Sequence, residues 1–191
     1  MKHINTIDGL SNIIDQYDVF ILDQWGVMHN GHNGYTHAIR CVEKLYQEKK
    51  NMIIISNSSK RKESTIKGLS KLGYNFKHFI EVITSGEMIW QSLVNKSYDF
   101  TRKLKKNCYH IYNQSMSDGR SFTKGLEDFN FVNNIKEANF ILACTPFVGF
   151  NTIDHVPLLT EALEKKLPFI CVNPDFETVK NNSNKLEICM G

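Results

Sequence analysis

At 191 residues, with 41% hydrophobic residues and a formal net charge of +3, the chain has an ordinary globular composition and room for one domain or two small ones. Its basic residues gather at Lys60-Arg61-Lys62 and at residues 102–106, without the larger excess and interleaved aromatics of a nucleic-acid-binding surface, and no apolar run approaches membrane-spanning length. The five cysteines, Cys41, Cys108, Cys144, Cys171 and Cys189, are odd in number and lack the close pairing of a zinc knuckle, so a disulfide framework is excluded and a reducing, cytoplasmic setting is expected.

Residues 1–16 are polar and amphipathic, without the apolar centre of a signal peptide, and residues 10–17 read as a short helix. The segment Val19-Phe20-Ile21-Leu22-Asp23-Gln24-Trp25-Gly26-Val27 follows. Its apolar run does not alternate, which predicts a strand buried on both faces. Asp23 then stands at the carboxyl end of that strand, the edge where parallel α/β sheets hold their ligands. A carboxylate there can be a nucleophile or a metal ligand, and it can equally cap the loop after a core strand.

Residues 35–50 carry Ile39, Val42 and Tyr46 at helical spacing, with Ala38 and Leu45 beside them. Residues 51–60 repeat the first plan: an apolar strand, then Ser56, Asn57, Ser58 and Ser59, then a helix. Strand, helix and parallel strand with a right-handed crossover bring Asp23 and Ser56 to one edge. Ser56 and Asn57 stand where residues of their type cap a following helix. Ile66, Leu69 and Leu72 predict a helix within residues 60–72, closed by Gly73.

Residues 79–83 read as a short strand, and Thr84 with Glu87 as a capping box opening a helix through Leu93, with Trp90 as a packing residue. Residues 95–107 are polar and read as a link. A second α/β unit is expected from strands at 108–112, 139–144 and 169–172 and a helix at 156–166, with Cys108, Cys144 and Cys171 as small core residues. Residues 113–134 are polar and glycine-dotted, with little periodicity. Asp175, in Asn173-Pro174-Asp175, is expected to order a turn by an Asx-type hydrogen bond, with a contact reaching the candidate site as the functional alternative.

Four of these segments, in order, resemble the haloacid dehalogenase (HAD) superfamily of phosphatases, and most nearly its class IIA branch: Ile21 to Val27, Ile55 to Ser59, Ile83 to Glu87, and Val172 to Asp175. The resemblance implies an α/β fold, with a Rossmannoid parallel sheet core whose N-terminal part is residues 1–100 and an α/β C2-type cap over residues 101–191. It gives Asp23 the role of a nucleophile that forms an aspartyl-phosphate. Magnesium would be held by Asp23 and the carbonyl of Trp25, and the phosphoryl group by Ser56 and Asn57. The implied substrate is a small phosphorylated metabolite, with no nucleic-acid or membrane partner.

Two departures qualify that expectation. Most phosphatases of the superfamily carry a second aspartate where this chain has Trp25, and an indole cannot exchange protons near neutrality. His29 and His32 lie nearby as replacement acids, or as ordinary loop histidines. The lysine and acidic residues that complete the family's phosphate and magnesium sites normally come later than Gly191, so the expectation is a core lacking its C-terminal part, with an exposed apolar sheet face, pairing with another copy or a missing segment. The rival expectation is a catalytically impaired relative that binds a phosphometabolite or a protein partner. A nucleotide-binding α/β module is disfavoured because the first strand-to-helix turn lacks the G-x-G-x-x-G pattern.

Overall fold

The structure, a computed structural model, describes residues 6–115, 117–147, 149, 151–179 and 186–188. The chain divides into two compact units, Met1–Ser56 with Thr65–Ile83, and Asn57–Ser64 with Thr84–Gly191.

In the first unit, residues 10–17 form two 3-10 turns, Leu10–Asn12 and Ile14–Gln16, in place of the expected helix. The stretch is too short to nucleate an α-helix, and Ser11, Asn12 and Asp15 compete for backbone hydrogen bonds. The elements that follow are β1 (Val19–Leu22), α1 (Thr36–Gln47), β2 (Asn51–Ser56), α2 (Lys62–Lys71) and β3 (Glu81–Thr84). The sheet runs in the order β1-β2-β3, and β1 pairs with β2 in parallel, Leu22 opposite Ile54. Gly73 follows α2 at a φ of 93°, as expected of a C-terminal cap.

Val42 and Leu45 of α1 and Leu69 of α2 pack with Phe20, Met52, Ile54 and Val82 on one face of this sheet. The expectation that β1 is buried on both faces is therefore corrected. Phe20 is 8% exposed, whereas Ile21, whose side chain points the other way, is 64% exposed. Ile53 lies opposite Ile21, and the exposed Ile55 continues the same face. The helices of this unit cover one face only, and that imposes alternating burial on a run that is apolar throughout.

The second unit is also α/β. Its four-stranded parallel sheet has the order β5-β4-β6-β7, from β4 (Asn107–Ile111), β5 (Asn130–Val132), β6 (Phe140–Ala143) and β7 (Phe169–Cys171). The helices are α3 (Ser85–Asn95), α4 (Asp99–Arg102), α5 (Ser117–Phe122) and α6 (Val156–Glu164), and a separate antiparallel pair joins β8 (Glu177–Val179) to β9 (Leu186–Ile188). Here a central strand is buried along its whole length. Phe140 and Leu142 face a core with Leu93 and Phe122, while Ile141 and Ala143 face another with Ile135 and Ala162.

The polar link contains α4, and residues 113–134 contain α5 and β5, neither expected from the sequence. Buried Phe122, Leu126 and Phe129 anchor the latter stretch, but only Phe122 lies within an element, so their spacing does not mark where α5 and β5 run. Cys108 and Cys144 are buried and Cys171 is half-buried, while Cys189 lies outside the described residues. No described helix is long and apolar enough to cross a membrane.

Candidate active site

Because β1 and β2 are parallel and in register, Asp23, just after β1, and Ser56, the last residue of β2, lie at the same edge of the sheet. Asp23 is exposed, and its Oδ1 accepts a 2.7 Å hydrogen bond from the backbone N–H of Gln24. The chain then turns tightly: Met28 N–H donates to the Gln24 carbonyl at 2.8 Å and Gly26 N–H to the His29 carbonyl at 2.9 Å. The Tyr74 hydroxyl donates to the Met28 carbonyl at 2.5 Å and pins this turn, and burial pushes its phenol up to about 12.

Under that surface lies a polar cluster that sequence reasoning missed. Gln24 is 4% exposed, His29 5% and Ser56 4%. Gln24 Nε2 donates to Ser56 Oγ at 2.6 Å, Gln24 Oε1 lies 3.4 Å from His29 Nε2, and Gly31 N–H donates to His29 Nδ1 at 3.0 Å. The available signal was a lone amide between Asp23 and Trp25, directly after an apolar strand. His29 is therefore a buried partner of Gln24, and His32 is an exposed loop residue.

Trp25 is 52% exposed, with its ring set edge-on to His29 at a centroid distance of 5.1 Å. Its indole also rests on Gly31, where a Cβ would come within 2.4 Å of the ring and φ is +91°. Only glycine meets both conditions without strain.

Asn57, although next to Ser56 in sequence, is counted with the second unit, where its Nδ2 donates to Asp175 Oδ1 at 2.5 Å. This corrects the expectation for Asp175. The Asx-type bond is made by Asn173, whose Oδ1 accepts from Asp175 N–H at 3.0 Å, leaving the Asp175 carboxylate for Asn57. The rest of the turn that precedes α2, residues 58–61, is tied down within the same unit. Gly86 N–H donates to the Ser58 carbonyl at 3.0 Å, Thr84 Oγ to the Lys60 carbonyl at 2.7 Å, and Lys60 Nζ pairs with Asp118 at 3.2 Å. A Cβ on Gly86 would lie 2.2 Å from the Ser59 carbonyl oxygen, so the loop backbone approaches α3 as closely as glycine allows.

Thr84 caps α3 as expected, accepting from Glu87 N–H at 3.0 Å. Glu87 does not complete the box; its carboxylate binds Arg61 Nε at 2.7 Å and Lys62 N–H at 3.1 Å. Burial alone would raise the Glu87 carboxyl, but these hydrogen bonds and the Arg61 charge outweigh it and hold the group below the usual carboxylate range. Trp90 packs as expected, with the Arg61 guanidinium 3.6 Å from its ring centroid.

Among the described residues no three His, Cys, Asp or Glu side chains converge on a metal position. Asp23 and the Trp25 carbonyl offer two oxygens, and magnesium demands near-octahedral oxygen coordination. The described donor set thus does not form a magnesium site by itself.

Residues 20–119, just over half of the chain, match the family model for haloacid dehalogenase-like hydrolases. The chain belongs to the haloacid dehalogenase-like hydrolase family. Solved structures agree on the fold of this HAD-like hydrolase. A haloacid dehalogenase-like hydrolase from Brucella suis 1330 superposes with a TM-score of 0.80 at 24% identity, over 96% of this chain and 63% of that one. A 4-nitrophenylphosphatase from Thermotoga maritima gives 0.64 at 15% identity, over 92% and 62%. A glycerol phosphate phosphatase from Mycobacterium tuberculosis, in complex with calcium, gives 0.61 at 13% identity, over 92% and 48%. The chain thus spans less than two thirds of the length of these structures. No curated protein matches the sequence.

Proposed function

We propose that this HAD-like hydrolase is a phosphoric monoester hydrolase that acts on a small phosphorylated metabolite through a phosphorylated Asp23. The observation that carries the reading is the placement of Asp23 and Ser56 at one edge of a parallel sheet in a chain of this family. The likeness to solved phosphatases supports the same reaction class. In the proposed reaction Asp23 attacks phosphorus, the ester oxygen leaves with the bonding electrons, and water later cleaves the acyl-phosphate. Ser56 and Asn57 would hold phosphoryl oxygens, since positioning and charge stabilisation dominate this chemistry.

A divalent cation, magnesium in this proposal, would neutralise charge shared by nucleophile and phosphate. Asp23 and the Trp25 carbonyl are the donors this chain would give it, so its affinity for the chain alone should be weak. We assign residues 1–100 to the catalytic core and 101–191 to a cap that selects the substrate, in a cytoplasmic protein without nucleic-acid or membrane partners.

Trp25 favours a second reading, a phosphate-binding relative with slow turnover. One experiment addresses both: hydrolysis of an aryl and an alkyl phosphate by the unmodified chain and by Trp25→Asp. Without an acid at position 25 the aryl ester should react faster, and the substitution should raise the alkyl rate more, by roughly 10²-fold or above. Equal, chemistry-limited rates for both esters in the unmodified chain would show that another group supplies the proton. No turnover of either ester by both proteins would favour the binding reading.

A further inference from the structure

We infer that a lysine-lined cleft in the second unit binds a small ligand carrying several phosphate groups, independently of the reaction proposed for Asp23. The sheet topology builds this cleft. In a parallel sheet the chain enters every strand from the same edge. β4, β6 and β7 are consecutive neighbours in the sheet, so the segments that lead into them meet at that edge: residues 103–105 after α4, residues 136–139 before β6, and residues 165–168 after α6. Together they line a cleft of about 460 Å³, within the size range of small-ligand sites. Five of its side chains are Lys103, Lys105, Lys136, Lys165 and Lys166, against the single carboxylate of Glu137.

One of the five has a role inside the protein. Lys165 Nζ donates to the Ile135 carbonyl at 3.2 Å and to the Lys136 carbonyl, which ties the end of α6 to the turn before β6. The other four are exposed, and none forms an ion pair with a described carboxylate. A lysine at the end of a helix complements the helix dipole, which accounts for Lys165 and Lys166 after α6. It does not account for Lys136, in the 3-10 turn Ile135–Glu137, or for Lys105, in the loop into β4. Leu104, Ala138, Leu167 and Pro168 form the apolar part of the wall. A cleft of one charge sign with low-dielectric walls focuses its field on a counter-ion. Each phosphate group brings close to two negative charges and three acceptor oxygens, which suits ammonium groups that only donate. None of the described lining residues is aromatic, so a nucleic-acid strand finds no ring on which to stack its bases.

The test is an NMR titration of the whole chain with tripolyphosphate, read from the amides of residues 103–105, 136–139 and 165–167, so that binding anywhere else is not counted. Those amides should shift with a single dissociation constant that weakens as salt is added. The double variant Lys105→Gln/Lys136→Gln should weaken binding by roughly tenfold, as expected for two lost charge contacts at an exposed site. The double variant Lys67→Gln/Lys71→Gln removes the same charge from exposed positions of α2 in the first unit and should leave the constant within about twofold. Orthophosphate should bind far more weakly than tripolyphosphate. Equal weakening by the two double variants would show attraction to net charge alone and overturn the inference, as would unshifted amides or orthophosphate binding as tight as that of tripolyphosphate. A single-stranded oligonucleotide that shifts the same amides and binds more tightly than tripolyphosphate would overturn it in favour of a nucleic-acid surface.

Discussion

Lowering the pH should destabilise the second unit through His110, and the size of the effect follows from its surroundings. The ring lies in β4, stacked on Tyr112 at a centroid distance of 4.3 Å, with Nε2 3.3 Å from Cys144 Sγ. Burial pushes the imidazole down to about 4 and holds the Cys144 thiol well above its ordinary range, so no thiolate is present to favour a charged ring. In the unfolded chain the same imidazole takes up a proton near its ordinary value of about 6.5. Between these values the unfolded state binds more protons than the folded one, so stability falls as the pH falls. The loss begins near pH 6.5, grows by about 1.4 kcal/mol per pH unit, and levels off below about 4 at a total of about 3 kcal/mol. That is a large share of the roughly 5–15 kcal/mol typical of a folded protein. Urea unfolding of the unmodified chain and of His110→Gln, in steps from pH 8 to pH 4, isolates the contribution of His110, because other titrating groups cancel in the difference. The difference should slope across this window. A flat difference, or an imidazole that titrates near 6.5 in the folded protein by NMR, would show that burial does not hold the His110 ring neutral.

Three further substitutions test the packing around the candidate site. Phe20→Ala should cost about 3–5 kcal/mol in urea unfolding, as expected for truncating a buried aromatic, whereas Ile21→Ser should cost about 0.5–1 kcal/mol; equal costs would show that both faces of β1 are buried. Gly86→Ala should destabilise by about 1–3 kcal/mol and shift the amide resonances of residues 57–64, because the new Cβ would lie 2.2 Å from the Ser59 carbonyl oxygen; an unchanged spectrum would place that loop elsewhere.

The alternation of apolar strands and amphipathic helices was enough to place β1, α1, β2 and α2 and to predict the parallel pairing, because each of these signals is local. Burial was less legible. Phe20-Ile21-Leu22 and Phe140-Ile141-Leu142 are the same kind of run, yet Ile21 is exposed and Ile141 is fully buried. Which faces are covered depends on what packs there, and a strand's own residues do not carry that information. The short α4, α5 and β5 escaped because each is too short to show a hydrophobic period of its own. At the candidate site, Asp23 and Ser56 were legible from their place at strand ends. The hydrogen bond from Gln24 to Ser56 was not, since it joins residues 32 apart in sequence. Asp175 was misread for the same reason: the carboxylate meets Asn57, 118 residues away, and the local bond belongs to Asn173.

If Asp23 is the nucleophile, hydrolysis passes through a covalent aspartyl-phosphate that can be trapped. The chain is incubated with an aryl phosphate, quenched, treated with borohydride, which reduces an acyl-phosphate to an alcohol, and digested for mass spectrometry. Homoserine is expected at position 23 in the unmodified chain and none in Asp23→Asn. Turnover of the ester with Asp23 unmodified, or undiminished turnover by Asp23→Asn, would contradict it.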